Sequence, residues 1–228
     1  MLIKDWMAKD VLTVDENTSL MRATRIMKEN SIRRLPVVSH GKLIGIVTDR
    51  DVKDASPSNT TSLDIHELYY LLSEMKVKDV MTASPLTLPA EDTLEKAALI
   101  MLEDKISGLP VVDAAGHLVG LLSETDVLRG FIYSTGIKDG AILFVFDLPD
   151  KPGSVTGVIE SLRTYNARVI SILTSFEDAP EGMKRVAVRV SVEDDAKAEQ
   201  MTRELQEKFT VVYQGKDELK DLPRKRAV

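Results

Sequence analysis

An internal repeat constrains the fold of this chain more than any other feature of its sequence. The segment IKDWM (3–7) matches VKDVM (77–81), a spacing of 74 residues, and the same spacing aligns the LPVV segments at 35–38 and 109–112. One inserted residue in the following turn changes the spacing to 75, which places Gly45 against Gly120 and Asp51 against Asp126. A match this long, with a single gap in a turn, predicts one structural unit built twice.

Each copy has the predicted element order β-α-β-β-α. A short strand (LTV at 12–14, LTL at 86–88) leads into helix-start residues, and apolar residues at helical spacing predict helices over 20–30 and 94–104. Two apolar runs across a Gly-containing turn then predict a hairpin, and a second helix begins at Thr48 and at Ser123. Such a unit, about 50 residues long, cannot close a core alone, so the copies are expected to pack together.

The segment between the copies, 61–76, is predicted to be a linker helix with Ser62 as its N-cap. Packing of this helix within the chain is the main expectation, and packing on a partner chain is the alternative. Its predicted apolar face consists of Leu63, Leu68, Leu71, Leu72 and Met75.

The last third of the chain lies outside the repeat and has a different pattern of elements. Strand and helix patterns from 141 to 215 alternate as βαββαβ, which predicts a ferredoxin-like domain and makes the whole chain α+β. Val186, Val188 and Val190 alternate with Arg185, Arg189 and Ser191, as expected for a sheet with one wet face. The predicted domains are 1–60, 77–136 and 140–215, followed by a charged tail at 216–228 that is expected to fray.

Composition excludes several classes of function. A net charge of −6 argues against nucleic acid as a partner, and the lack of cysteine excludes disulfides and thiol chemistry. The three histidines have no metal-ligand spacing on one helix, so no metal site is expected. No stretch reaches the roughly 18 apolar residues of a membrane helix, and the start does not resemble a signal peptide. A cytoplasmic protein without a membrane partner is expected.

The repeated phrases TDRD (48–51) and SETD (123–126) each place a carboxylate three residues after a hydroxyl. One interpretation is a helix cap, in which the hydroxyl accepts a hydrogen bond from a backbone N–H. The other is a ligand site, in which the helix start holds an anion and the carboxylate accepts bonds from a ribose diol. Two copies of the phrase favour nucleotide contact.

The two copies differ in charge. The first has Arg33, Arg34 and Arg50, whereas the second has Ser107, Gly108 and Thr125 at these positions. Because a guanidinium group binds phosphate bidentately, we expect a phosphorylated adenosine to favour the first site. The alternative is that these arginines form surface ion pairs of little energetic consequence. Because paired repeats share one cleft, an arginine of one copy could also reach the ligand of the other.

The repeat resembles the CBS domain, and the pair resembles a Bateman module. The LPVV segments, the phrases at 48–51 and 123–126, and the VKDVM-like lead-in carry this resemblance, which covers about 1–136. It implies that Asp contacts ribose hydroxyls and that Ser or Thr lies near phosphate. The nucleotide-binding residues implied or inferred are Thr13, Arg33, Arg34, Pro36, Thr48, Arg50, Asp51, Thr87, Leu109, Pro110, Ser123 and Asp126.

The stretch DLPDKPGSVTGVIESL (147–162) resembles the entry of an ACT domain, a module that often binds amino acids at subunit interfaces. It implies an amino-acid site at Asp150, Gly153, Ser154 and Val155, where glycine allows close approach and the helix start can hold a carboxylate. A plain Pro-Gly turn before a helix is the alternative.

Two CBS copies followed by an ACT domain resemble the acetoin-utilisation-type CBS proteins, although architecture alone establishes no link to acetoin. The resemblance implies a non-enzymatic regulatory homodimer that senses adenosine nucleotides (AMP, ADP, ATP or S-adenosylmethionine) and requires no cofactor. The alternatives are a dimerisation or scaffold module without ligand and a regulatory subunit of a metabolic enzyme. An enzyme is disfavoured, because the sequence has no Ser-His-Asp set, glycine-rich phosphate loop or metal cluster.

Overall fold

The chain folds into two units, Met1–Gly130 and Phe131–Val228, with a mixed α+β content. The computed structural model describes residues 1–55, 70, 72–139, 141–216 and 219. In this described part, no helix combines the length and the apolar character needed to cross a bilayer. Of the predicted linker helix, Tyr70 and 72–74 are helical and Leu72 is buried in the core of the first copy. The predictions for Ser62, Leu63, Leu68 and Leu71, for His66 as one of the three histidines, and for nearly all of the tail concern positions outside the described residues.

The first copy consists of helix α1 (Leu20–Glu29), strands β1 (Arg34–Ser39) and β2 (Lys42–Thr48), and helix α2 (Asp49–Ala55). Helix α1 begins where the Ser19 side chain accepts a hydrogen bond from the backbone N–H of Arg22. Its buried residues recur at helical spacing and face the core of the hairpin, and they are Leu20, Ala23 and Met27.

The second copy repeats this order after a 3₁₀ turn and the short strand β3 (Thr82–Ala83). It consists of helix α3 (Leu94–Glu103), strands β4 (Gly108–Val112) and β5 (Leu118–Ser123), and helix α4 (Glu124–Thr135). The copies agree down to a register shift in the hairpin, between Val37 and Val38 in one and between Val111 and Val112 in the other.

The predicted first strand of each copy is shorter than expected. Val14 and Leu88 each form one isolated parallel bridge, to Val37 and Val111, because the chain turns away immediately afterwards. In the first copy the Asp15 side chain caps that turn by accepting from the N–H of Asn17.

The lead-in of each copy pairs with the other copy. Ala8 bridges Leu121, and its equivalent Thr82 pairs with Ile46. A Cβ atom at Gly120 would lie 2.4 Å from Met7 Sδ, and one at Gly45 would lie 2.5 Å from Met81 Sδ. The repeated glycine is therefore the place where a methionine of the other copy packs against the hairpin.

The C-terminal unit has the element order βαββαβ. Its strands are β6 (Ile142–Pro149), β7 (Arg168–Ser175), β8 (Met183–Ser191) and β9 (Thr210–Lys216), and its helices are α5 (Ser154–Thr164) and α6 (Asp195–Lys208). The antiparallel sheet has the order β7-β8-β6-β9.

The core of this unit contains the three alternating valines, together with Phe144, Phe146, Met201 and Leu205. The prediction of a wet opposite face is wrong at Arg189, which is 6% exposed. Asp147, which pairs with Arg185 in the neighbouring strand, is also buried, at 8% exposed. Asp147 is stabilised there by Arg185, whose Nε and Nη2 donate to its two carboxylate oxygens at 2.9 and 3.2 Å.

We predict that Gly120→Val lowers the free energy of unfolding by about 1–3 kcal/mol, the usual cost of overpacking. The added atoms would meet Met7 and the carbonyl oxygen of Ala8. Urea unfolding followed by the fluorescence of Trp6, the single tryptophan, measures this change. Adding Met7→Ala should recover part of the loss; simple additivity of the two changes would contradict the contact.

Candidate functional site

The phrase at 48–51 forms a closed ring of hydrogen bonds at the end of β2. Thr48 donates from its backbone N–H and from Oγ1 to Asp51 Oδ2, at 2.7 and 2.8 Å. In return, the N–H of Asp51 donates to Thr48 Oγ1 at 3.3 Å. This reciprocal arrangement is a capping box, so the helix-cap interpretation describes a real part of the structure.

The phrase at 123–126 forms the same ring. Ser123 donates from N–H and Oγ to Asp126 Oδ2, at 3.0 and 2.5 Å. The second carboxylate oxygen differs between the copies, because Asp126 Oδ1 accepts from Arg129 Nη1 at 3.0 Å. Asp51 Oδ1 has no hydrogen-bond partner among the described residues, so one oxygen of this carboxylate remains available to a ligand.

Each phrase lines a cleft, which we name by its carboxylate. The Asp51 cleft has a volume of about 870 Å³, and the Asp126 cleft has a volume of about 440 Å³. The Asp51 cleft is completed by the lead-in and the β4 entry of the second copy, through Thr82, Ser84, Pro85, Leu86, Lys105, Ile106, Ser107 and Gly108.

In the Asp126 cleft, the second copy supplies the carboxylate phrase and the first copy supplies the loops. Ser123 and Asp126 of the second copy face the lead-in and the β1 entry of the first copy, through Ala8, Asp10, Val11, Leu12, Asn30, Ser31, Ile32, Arg33 and Arg34. Each site therefore combines the carboxylate phrase of one copy with two loops of the other.

In this geometry Arg33 and Arg34 are not confined to the first site, in agreement with the alternative that an arginine of one copy reaches the ligand of the other. Both arginines line both clefts, whereas Arg50 lines the Asp51 cleft. The spacing of 74 places them opposite Ser107 and Gly108, which enter the site of the other copy. The repeat alone could have indicated this exchange, because a two-fold pair brings the loops of one copy to the strand ends of the other.

Arg34 lies at the junction of the two clefts. It is 8% exposed, and its Nη2 donates to Ser107 Oγ at 2.9 Å. Burial lowers the pKa of this guanidinium below its usual value and Arg33 acts in the same direction, while Asp49, Glu124 and Asp126 act against them.

Five of the predicted nucleotide-binding residues do not line either of these two clefts. Thr13 and Thr87 are exposed beside the isolated bridges, and Pro36, Leu109 and Pro110 are buried within the hairpins. The loop residues Asp10–Leu12, 30–32, 84–86 and 105–106 were not predicted, because loops without a motif give no local signal of a site.

The predicted amino-acid site lies where β6 leads into α5. Gly153 adopts a φ of +81°, which explains the glycine by backbone conformation, and a Cβ atom there would meet nothing within 4 Å. Val155 packs against the core of the unit, and Asp150 lies 3.7 Å from Lys184 Nζ. Ser154 Oγ is buried and has no hydrogen-bond partner among the described residues.

Comparisons with known proteins agree with the repeat. The family model described as the CBS domain matches residues 3–58 and 77–133. A CBS domain-containing protein of Dictyostelium discoideum is 35% identical over 128 residues, which cover 56% of this chain and 88% of that protein.

Two other matches extend the comparison. The CBS-pair protein CBSX2 of Arabidopsis thaliana is 32% identical, with a TM-score of 0.50 over 57% of this chain and 94% of that structure. An inosine-5'-monophosphate dehydrogenase of Korarchaeum cryptofilum is 33% identical over 180 residues, and the match spans 74% of this chain but only 34% of the dehydrogenase. The repeat, its exchanged clefts and these matches lead to one conclusion: the chain belongs to the CBS domain family and carries a tandem pair of CBS domains.

Proposed function

We propose that this protein is a non-enzymatic sensor that binds adenosine nucleotides (AMP, ADP, ATP or S-adenosylmethionine) in the clefts of its CBS pair. The observation that carries this proposal is the pair of equivalent clefts, each with a carboxylate fixed at a strand end by its own capping ring. A carboxylate held this way can accept bonds from a ribose diol without losing its cap. CBSX2 has also been solved in complex with AMP.

The Asp51 cleft is the better site for a phosphorylated ligand. Arg50, Lys53 and Lys105 line it in addition to the two shared arginines, against four aspartates. In the Asp126 cleft the two arginines face Asp10 and Asp126. We therefore assign the phosphorylated adenosine to the Asp51 cleft and a less charged adenosine compound to the Asp126 cleft.

Ligand binding would act by favouring one conformation or assembly over another, which requires a difference in affinity between the two. The regulated target could be a metabolic enzyme to which this chain is a subunit. The rival function, a scaffold whose pockets have lost their ligand, predicts no nucleotide binding. The Oδ1 atom of Asp51, which has no partner among the described residues, favours the sensor.

The outer helices of the second copy favour a homodimer. Leu99, Leu102 and Leu128 are 55%, 74% and 57% exposed on α3 and α4. The spacings of 74 and 75 place them opposite Arg25, Lys28 and Lys53, so the equivalent surface of the first copy is charged. An apolar surface on one copy and a charged one on the other is consistent with a two-fold contact between second copies.

The C-terminal unit is proposed to be an ACT-like domain that binds an amino acid at the start of α5. The buried hydroxyl of Ser154 supports this proposal, because a buried polar atom normally has a partner and a ligand would supply one. The proposed organisation of the chain is two CBS repeats at 1–60 and 77–136, a linker, the ACT-like domain at 140–215 and the tail.

We predict that Asp51→Asn weakens AMP binding about 10- to 100-fold, since a hydrogen bond to a charged group contributes about 1.5–3 kcal/mol. Asn keeps an oxygen for the capping ring, so thermal unfolding should change little. Asp126→Asn is the matched control in the equivalent position and should weaken AMP binding much less. Isothermal titration calorimetry measures both, and equal losses would contradict the assignment of phosphate to the Asp51 cleft.

We expect light scattering at micromolar concentration to give twice the chain mass of 25.3 kDa. Leu102→Glu should shift the protein toward the monomer, because it places a charge in an apolar contact. Lys28→Glu, at the equivalent position of the first copy, should leave the dimer intact. A monomeric wild-type protein would contradict the homodimer.

We predict that Ser154→Ala leaves the unliganded protein as stable or raises its free energy of unfolding by about 1 kcal/mol, because it removes an unsatisfied hydroxyl. The same variant should lose any increase in melting temperature that an amino acid causes in the wild type. A thermal-shift screen against the twenty amino acids measures this. If no amino acid shifts the wild type, the amino-acid site is wrong.

A further inference from the structure

Arg34 is a buried cation that lacks an anionic partner in the described part of the chain. Its hydrogen bond goes to the neutral hydroxyl of Ser107, and the carboxylates of Asp49, Glu124 and Asp126 act on it without forming an ion pair among the described residues. Buried charges in proteins are usually paired, because an unpaired charge loses its hydration without compensation. A bound anion would supply the missing partner.

The position of Arg34 connects the two carboxylate phrases. Its Cα pairs with Thr48 at the end of β2, and Gly108 pairs with Ser123 at the end of β5. A Cβ atom at Gly108 would lie 1.4 Å from Arg34 Nη1, so the guanidinium occupies the space beside Gly108 that a larger residue would need. A single side chain thus extends from the strand end of one site to the strand end of the other.

The two copies do not each supply this cation. The spacing of 74 places Arg34 opposite Gly108, so the pair has one guanidinium where full two-fold symmetry would give two. Arg34 lines both clefts, and so does its neighbour Arg33, which is exposed and can turn toward either. Of the two arginines, only Arg34 is buried and fixed between the two strand ends.

We propose that Arg34 is one phosphate-binding group shared by the two clefts, so that a phosphorylated adenosine in one cleft excludes or weakens a second phosphorylated ligand in the other. This inference rests on the proposed nucleotide binding. A phosphate binds Arg34 preferentially from the Asp51 cleft, because this cleft holds the additional cations Arg50, Lys53 and Lys105. The Asp126 cleft is then left to an uncharged adenosine compound.

The physical reason is geometric. A guanidinium group carries one positive charge and holds a phosphate best through two parallel N–H donors on one edge. Because Nη2 of Arg34 already donates to Ser107, an edge turned to a phosphate in one cleft leaves the other cleft with a weaker contact. Competition for one group is a coupling free energy between the sites, which typically changes affinity about 5- to 150-fold. Uncharged adenosine makes no demand on Arg34 and should escape the coupling.

The experiment is calorimetric titration of the full chain with AMP and with adenosine. In the wild type, the second AMP should bind the Asp126 cleft about tenfold more weakly than AMP binds this cleft in Asp51→Asn, at AMP concentrations too low to fill the weakened Asp51 cleft. Adenosine should bind the Asp126 cleft equally in the AMP-loaded wild type and in Asp51→Asn. This comparison separates coupling from a mere difference in intrinsic affinity, because it concerns the same cleft in both proteins.

Two variants test the role of Arg34 itself. Arg34→Ala removes the group, and Gly108→Ala keeps it but displaces the guanidinium from its place. In both, the affinity of the Asp126 cleft for AMP should no longer depend on Asp51→Asn. Arg50→Ala is the matched control, an arginine of the Asp51 cleft alone, and should retain the coupling. Thermal unfolding shows whether Arg34→Ala or Gly108→Ala fails to fold. If one does, the coupling measured in the other variant tests the role of Arg34.

Three results would overturn the inference. If two AMP molecules bind the wild type with equal affinity, Arg34 is not shared between the clefts, although the proposed nucleotide binding still stands. Coupling of undiminished size in both Arg34→Ala and Gly108→Ala would assign it to another cause, such as repulsion between phosphates. Absence of binding by both AMP and adenosine would instead overturn the proposed function, and this inference with it.

Discussion

The fold of the CBS pair depends on the contact between a methionine of each lead-in and a glycine of the other copy's hairpin. Met7 packs on Gly120 and Met81 packs on Gly45, and the adjacent backbone pairs Ala8 with Leu121 and Thr82 with Ile46. A side chain at either glycine would occupy the space of the methionine. This exchange holds the copies together and brings each lead-in to the strand end where the other copy's carboxylate phrase begins.

The composition of the sites follows from this exchange. Because each lead-in crosses over, every cleft contains loops from one copy and a carboxylate from the other, and neither copy could form a site alone. The same crossing places Arg33 and Arg34 between the clefts, although their sequence neighbours belong to the first copy. A substitution in the loops of one copy can therefore change the charge of a cleft while the carboxylate of that cleft, which belongs to the other copy, stays the same.

Local signals predicted the elements, and the repeat predicted their duplication. Helix α1 could be predicted because Leu20, Ala23 and Met27 form one apolar face, and the hairpins because glycine separates two apolar runs. The predicted first strands were too long, and the face of the C-terminal sheet opposite the core is less exposed than predicted. Both the length of strand pairing and the burial of side chains depend on tertiary neighbours. The loops of each cleft could not be predicted from residues within one copy, because only the packing of two copies brings them to the carboxylate.

The helix-cap and ligand interpretations of the carboxylate phrases are compatible because they use different atoms. The cap employs Oδ2 in both copies, and this fixes the direction of the carboxylate before any ligand arrives. Oδ1 is unpaired at Asp51 in the described structure, but at Asp126 it accepts from Arg129, whose side chain is 61% exposed. An exposed ion pair contributes about 0–1 kcal/mol, so a ligand in the Asp126 cleft could displace Arg129 at small cost. The larger difference between the clefts then lies in their cations, and the proposed assignment of ligands to the clefts by charge rests on this difference.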